Sequence, residues 1–329
     1  MSVVLPAVVL GGYLGAGKTT LLNWLLRHAG GRRIAVMVND FGAVGIDADL
    51  IESRDGDVMN LAGGCVCCSV GSDLIGALVA LPQRTPPPDL VLIEASGVAL
   101  PGSIARSVRL APGIEVDGVV VLADAETVRA RADDRYVGDT VLQQLRDADL
   151  LVLNKRDLVG DEDAGALLAW LAEVAPRARV VQAVEADVRP ELVLGLADGE
   201  HPVQSLARRG AGLFAGDPSA RRLAGRRPTA ADVFDSVSLA VAGPVDADAL
   251  ARALADPATG VVRAKGIVRD VTGGWTVIQT VGARARCSPA DPGTTAGRGD
   301  GPGRLVAIGL RGRFDPQAVA ALLAGASPR

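Results

Sequence analysis

The chain has 329 residues, 49% of them apolar, which is enough for two packed domains with aliphatic cores and excludes bulk disorder. Lys and Arg total 34 against 38 Asp and Glu, so no global positive field favours nucleic acid or an anionic membrane as a partner. Aromatic residues make up only 3%, which leaves little for a base-stacking surface.

In chain order, the first element is "VVLPAVVL" (3–10), a continuous aliphatic run that reads as a buried strand and leads into "GGYLGAGKTT". The N-terminus is uncharged up to Lys18, but it lacks the basic start of a secretory signal. Its glycines also break the run well short of the roughly 20 residues that span a bilayer. No membrane segment and a cytoplasmic location are therefore expected. "TTLLNWLLRHAGG" follows as a helix with Leu21, Leu22, Leu25 and Leu26 on one face and Gly30 as a stop. Further buried strands are expected at "IAVMV" (34–38), "LVLIEA" (90–95), "GVVVLAD" (118–124), "LLVLN" (150–154) and "ARVVQA" (178–183), with helix-length segments between them. Strands without in/out alternation, spaced this way, imply a mostly parallel sheet covered on both faces. Residues 1–205 are assigned to this α/β domain and 206–230, rich in Arg, Gly, Ala and Pro without periodicity, to a flexible linker. A small α+β domain is expected over 231–329: strand "VFDSVSLAV", helix "VDADALARALAD", strands near 261–269 and 274–281, a Gly/Pro-rich loop from Cys287 to Gly303, strand "RLVAIGL" and helix "DPQAVAALLAG".

Three motifs carry chemistry. Gly12, Gly17, Lys18 and Thr19 fit G-x-x-x-x-G-K-[ST] between an expected strand and helix. Backbone N–H groups of Gly12, Gly15, Ala16, Gly17 and Thr20 would wrap a phosphate, Lys18 would reach the β/γ-phosphates, and the Thr19 hydroxyl would ligate Mg²⁺. Asn154-Lys155-Arg156-Asp157 fits N-K-x-D, in which the Asp carboxylate accepts from N1–H and the exocyclic amine of guanine, whereas adenine offers an acceptor at N1. Between them, Glu94 ends a hydrophobic strand where it could hold Mg²⁺, and Gly97 could present an N–H to a γ-phosphate. Asn39, Asp40 and Asp47 beside Gly42 and Gly45 suit a loop that orders around metal and phosphate. The chain holds only three lysines, Lys18, Lys155 and Lys265, and two of them fall in these motifs.

Three of the four cysteines lie in "GGCVCCS", as Cys65, Cys67 and Cys68. Clustered thiols in a reducing compartment suggest metal or redox chemistry more than disulfides. Soft thiolates favour Zn²⁺ and other thiophilic ions over Mg²⁺ or Ca²⁺, and Gly63 and Gly64 would permit the bend that three neighbouring ligands need. His28 and His201 are isolated and read as ordinary surface residues, and Cys287, at the start of that loop, as a structural thiol.

Taken together, "GGYLGAGKTT", "VNDFGAVGID", "GGCVCCS", "IEASGVALP", "QQLRDADLLVLNKRDL" and, in the second unit, "VVRAKGIVRD" resemble the CobW-type metal-associated GTPases, P-loop proteins related to nickel-insertion GTPases. The resemblance spans nearly the whole chain. It implies binding of GTP and GDP, Mg²⁺ and Zn²⁺, with Lys18, Thr19 and Glu94 in catalysis and Asp40 as a fourth ligand beside the cysteines. It also implies a GTP-hydrolysing metallochaperone that delivers its ion to a metalloprotein client. Alternatives are a GTP-dependent metal or redox sensor and a cofactor-assembly GTPase for cobalamin or a metalloenzyme. Self-association, the identity of the metal and the role of Lys265 stay open. Two departures matter: Ala43 stands where relatives often carry a second acid, and the histidine-rich stretch of many relatives is missing, which argues against metal storage.

Overall fold

The structure, a computed structural model, describes residues 4–38, 58–60, 70–195, 234–290, 295 and 301–326. It divides into two units, Met1–Leu194 and Gly195–Arg329. The expected linker (206–230), the segment from Asn39 to Asp47, the three clustered cysteines, Asp40 and His201 lie outside the described residues.

The first unit runs β1 (Leu5–Gly12), α1 (Lys18–Arg27), β2 (Ile34–Val38), β3 (Val58–Asn60), α2 (Val70–Ala80), β4 (Leu90–Glu94), α3 (Pro101–Val108), β5 (Ile114–Asp124), α4 (Val128–Ala132), α5 (Gly138–Asp147), β6 (Leu150–Asn154), α6 (Asp161–Val174), β7 (Arg179–Gln182) and α7 (Pro190–Leu194). Its seven strands form one sheet in the order β3-β2-β4-β1-β5-β6-β7, all pairs parallel. Burial explains the choice of sheet: Ala7 and Val9 join a core with α2, α3, α5 and α6, while Val8 and Leu10, pointing the other way, are equally buried. A strand buried on both faces needs helices on both. On the second face α1 contributes Leu21, Leu22 and Leu25, each fully buried and each worth roughly 1.5–3 kcal/mol against exposure. Leu26 is only half-buried, so the stripe is narrower than the sequence suggests. The helix also stops at Arg27, ahead of Gly30.

β1 is the centre of the sheet, with β4 on one side and β5 on the other. The chain first winds outward to β2 and then crosses back, so the strand order reverses beside β1. In open α/β sheets ligands bind outside the carboxyl ends of strands at such a reversal. Gly12, Glu94 and Asn154 all stand at those ends.

The second unit runs β8 (Phe234–Val241), α8 (Ala247–Ala255), β9 (Val261–Arg269), β10 (Trp275–Val281), β11 (Arg284–Pro289), β12 (Gly303–Leu310) and α9 (Pro316–Gly325). The strands form an antiparallel sheet in the order β11-β10-β9-β12-β8. Leu250 and Leu254 of α8 and Val319 of α9 pack with Ala264, Val268, Ile278 and Leu305 in its core. Asp246 and Asp315 cap the two helices, accepting from Ala249 N and Gln317 N at 2.8 Å each.

Two strands go beyond the expected elements. β3 is only three residues long. β11 corrects the assignment of Cys287 to a loop: in "RARCSP" Ala285 and Cys287 face the core and Arg284 and Arg286 do not, a period-two signal masked by the Gly/Pro run that follows. Cys287 Sγ donates to Ala247 O at 3.3 Å. Burial pushes its thiol up to about 12, reinforced by a hydrogen bond to Asp248 and by the charges of Asp248 and Asp270. A neutral, half-buried thiol is neither nucleophile nor ligand at ordinary pH. The structural reading of Cys287 stands.

Candidate nucleotide site

β1 ends at Gly12 and α1 begins at Lys18, with the loop 13–17 between them. Gly17 adopts φ 102° and ψ 25°, a left-handed geometry that costs other residues dearly. A β-carbon there would also stand 2.5 Å from Asn154 Nδ2. Backbone and neighbour therefore both demand glycine. No side chain caps α1 and no acid occupies its first turn, so its N-terminal amides are suited to an anion.

Lys18 is 9% exposed and donates from Nζ to Gly12 O at 3.0 Å and Tyr13 O at 3.5 Å. These carbonyls hold the ammonium back over its own loop. Thr19 Oγ1 donates to Glu94 Oε1 at 3.1 Å, which ties the start of α1 to the end of β4. Glu94 is 3% exposed and Thr19 half-buried, so two hard oxygens meet in a part-buried position. That donor pair suits Mg²⁺ and not a thiophilic ion. Ala16 is buried, whereas Gly15 and Thr20 are exposed.

Asn154 joins the two nucleotide motifs. From the end of β6 its Nδ2 donates to Ala16 O at 3.0 Å, and its Oδ1 accepts from Ala186 N at 2.8 Å. The side chain is 2% exposed, with donor and acceptor both engaged. Lys155 then takes φ 59°, ψ 36° and turns the chain into a single 3₁₀ turn, Arg156–Leu158, that leaves Asp157 exposed. Lys155 Nζ pairs with Asp124 Oδ2 at 2.7 Å. Arg156, the variable position of N-K-x-D, braces the turn on Val159 O, Gln182 Oε1 and the Asp161 carboxylate. Asp157 is thus the one acid of the motif presented outward.

Three participants escape a reading of the sequence. Asp124 anchors Lys155 from the end of β5. The loop 183–187 docks on the motif through Ala183 O, which accepts from Arg156 N at 3.0 Å, and through Ala186 N. Glu185 and Ala186 there have φ 52° and 57°, which their residue types disfavour, so no propensity could signal the turn. The third is Gln144, 1% exposed on α5, which donates to Gly97 O at 3.0 Å and Ala99 O at 2.8 Å. Gly97 lies directly on the phosphate loop: a β-carbon would stand 2.5 Å from Leu14 Cδ2 and 3.0 Å from Leu14 N.

His28 is exposed at the end of α1, with Nδ1 2.8 Å from Trp24 O. Among the described residues no three His, Cys, Asp or Glu side chains gather as a metal site. No helix among them is long and apolar enough to cross a membrane.

Comparison with known proteins matches residues 6–182 to the "CobW/HypB/UreG, nucleotide-binding domain" family and residues 234–327 to the "Cobalamin synthesis protein cobW C-terminal domain". Zinc chaperone CobW of a Sinorhizobium species is 35% identical over 227 residues, covering 59% of this chain and 63% of that protein. Zinc chaperone YjiA of Escherichia coli is 35% identical over 193 residues, covering 56% and 59%. The chain therefore spans less than two thirds of the length of these relatives. The crystal structure of Zn(II)-bound YjiA GTPase from E. coli aligns with a TM-score of 0.42 at 23% identity, covering 98% of this chain and 99% of that one. With the first match reaching over more than half of its length and the second over its C-terminal unit, the chain belongs to the CobW/HypB/UreG family of nucleotide-binding proteins.

Proposed function

We propose that this protein is a GTP-hydrolysing metallochaperone that carries zinc, or a similar thiophilic ion, on Cys65, Cys67 and Cys68 and delivers it to a metalloprotein client. The observation that carries the GTPase part is Asn154, which fastens the start of the guanine-reading turn to the phosphate loop through Ala16 O and to the loop 183–187 through Ala186 N. The zinc part is supported by the C-x-C-C thiol cluster and by relatives named zinc chaperone CobW, zinc chaperone YjiA and zinc-regulated GTPase metalloprotein activator. Asp40 is the proposed fourth ligand. The proposed arrangement is a GTPase domain over 1–205, a linker over 206–230 and a C-terminal domain over 231–329.

In this reading the loop 13–17 and the start of α1 bind the phosphates through backbone N–H groups. Lys18 exchanges its two carbonyl partners for β/γ-phosphate oxygens, and charge-assisted bonds to phosphate are roughly twice as strong as neutral ones. Asp157 accepts from the guanine N1–H and amine, while Lys155, held by Asp124, shapes the turn that presents it. Thr19 Oγ1 and Glu94 are the residues that would hold Mg²⁺, which would supply positive charge to offset the negative charge that develops on the phosphates during hydrolysis. Gly97, packed on Leu14, would offer its N–H toward the γ-phosphate. Water attack on that phosphate releases inorganic phosphate and leaves GDP.

Purified protein given GTP or ATP with Mg²⁺ tests the first half: phosphate release and affinity should favour GTP strongly, and equal handling of ATP would refute guanine selectivity. Zinc-loaded protein mixed with an apo-metalloenzyme tests the second. Stoichiometric transfer that requires GTP supports delivery, whereas retention of the ion favours a sensor.

A further inference from the structure

The segment "QQLRDADLLVLN" does more than lead into the guanine motif. Gln144, buried in the last turns of α5, spends both N–H bonds of its carboxamide on the carbonyls of Gly97 and Ala99. Those carbonyls belong to the turn after Glu94, closed by Ala99 N donating to Ser96 O at 3.0 Å. A trans peptide sets the Gly97 N–H opposite to the Ser96 carbonyl, so this amide faces away from the turn it starts. On the other side the same glycine presses on Leu14 of the phosphate loop. One turn further along α5, Asp147 Oδ2 accepts from Gly102 N at 2.9 Å at the start of α3, and its Oδ1 accepts from Gln143 Nε2 at 2.9 Å. The stretch 97–102 is thus gripped at both ends by one helix. That helix passes directly into β6, and Asp149 at the junction accepts from Val119 N at 2.8 Å. β6 ends in Asn154, which holds Ala16.

We propose that Gln144 is a positioning residue for γ-phosphate hydrolysis: its carboxamide fixes the Gly97 turn against the phosphate loop, and turnover depends on it while nucleotide binding does not. The proposal rests on the GTPase reading above. The physical reason is asymmetric. A donor removed here leaves two carbonyls without their side-chain partner next to a glycine hinge, and a group that must meet a transition state tolerates little displacement. The base and the α- and β-phosphates are held by other elements, α1 and the Asn154–Asp157 turn, and do not need it.

The test uses the full chain with Gln144→Met, which keeps length and burial but cannot donate, and Gln144→Leu as a second apolar variant should methionine not be accommodated. Arg146→Met, an exposed position on the same helix that takes no part in the grip described above, is the control. Three quantities are read: kcat and KM for GTP, GDP affinity, and amide hydrogen exchange over residues 96–99 without nucleotide. The expected result is kcat lowered about tenfold or more with KM and GDP affinity within about twofold, faster exchange at 96–99, and a control like wild type. Unchanged kcat, or kcat and GDP affinity falling together, overturns the positioning role, as does unchanged exchange. A wild-type protein that turns over no GTP refutes the GTPase reading itself, and the positioning role falls with it.

Discussion

Replacing Asn154 by alanine should be the most damaging single truncation in the nucleotide site. Its two partners, Ala16 O and Ala186 N, belong to residues 2% and 0% exposed, so truncation strips both of their side-chain partner away from bulk solvent. A buried polar group left unmade costs about 1–3 kcal/mol, and two of them give about 2–6 kcal/mol, a large share of the roughly 5–15 kcal/mol that holds a domain together. Lys155→Ala is the contrast: its ion pair with Asp124 is 35% exposed on the lysine side and should be worth no more than about 1 kcal/mol. Urea unfolding in a Trp275→Phe background isolates the first unit, because Trp24 and Trp170 then report alone. Trp24 is a local reporter as well, donating from Nε1 to Val188 O at 2.9 Å, two residues past Ala186. The expected order is Asn154→Ala far below Lys155→Ala, with GDP affinity also reduced about tenfold or more in Asn154→Ala. A loss below about 1 kcal/mol with GDP affinity unchanged would refute the clamp.

Asp157→Asn should shift preference from GTP toward xanthosine triphosphate, whose base presents the complementary carbonyl, and competition binding with both nucleotides checks it. Replacing Cys65, Cys67 and Cys68 together by serine should abolish tight zinc binding and leave nucleotide affinity of the metal-free protein intact, read by chelator competition and GDP titration. Cys287, its thiol pushed up to about 12 against an ordinary value of 9.0, should resist alkylation in the native state at pH 9 and react once the chain is unfolded in urea. Because the folded state keeps this proton longer, stability should fall as pH rises from about 9 to about 12, a slope that Cys287→Ser removes.

The parts legible in the sequence were those whose residue type is dictated by local chemistry. Lys18 and Thr19 follow a glycine loop, Asn154 and Asp157 keep fixed spacing, and the aliphatic runs of β1, β2, β4 and β6 sit within two residues of their expected places. What escaped is long-range. Gln144 reaches Gly97 across 47 positions and Asp124 meets Lys155 across 31, and neither pairing leaves a local mark. The Glu185–Ala186 turn contradicts its own residue preferences because Asn154 Oδ1 holds Ala186 N from outside. β11 was obscured by the glycines and prolines after it. The thiol cluster was read from residue chemistry and from the family resemblance, and it lies outside the described residues.

In the sequence the C-x-C-C cluster falls between Asp40 and the Glu94–Gly97 turn, so the proposed zinc ligands are separated from the proposed nucleotide-sensing residues by short stretches of chain. If Asp40 serves the zinc site and responds to nucleotide, zinc affinity must depend on which nucleotide is bound. Linkage then obliges zinc to alter GTP affinity by the same factor, typically about 5–150-fold for couplings of about 1–3 kcal/mol. The measurement is zinc affinity by chelator competition in three states: without nucleotide, with GDP, and with a non-hydrolysable GTP analogue. A GTP-gated metallochaperone predicts at least about fivefold between the GDP and GTP-analogue states, lost in Asp40→Ala. Identical zinc affinity in all three states would contradict it and leave the cysteines as an uncoupled metal site.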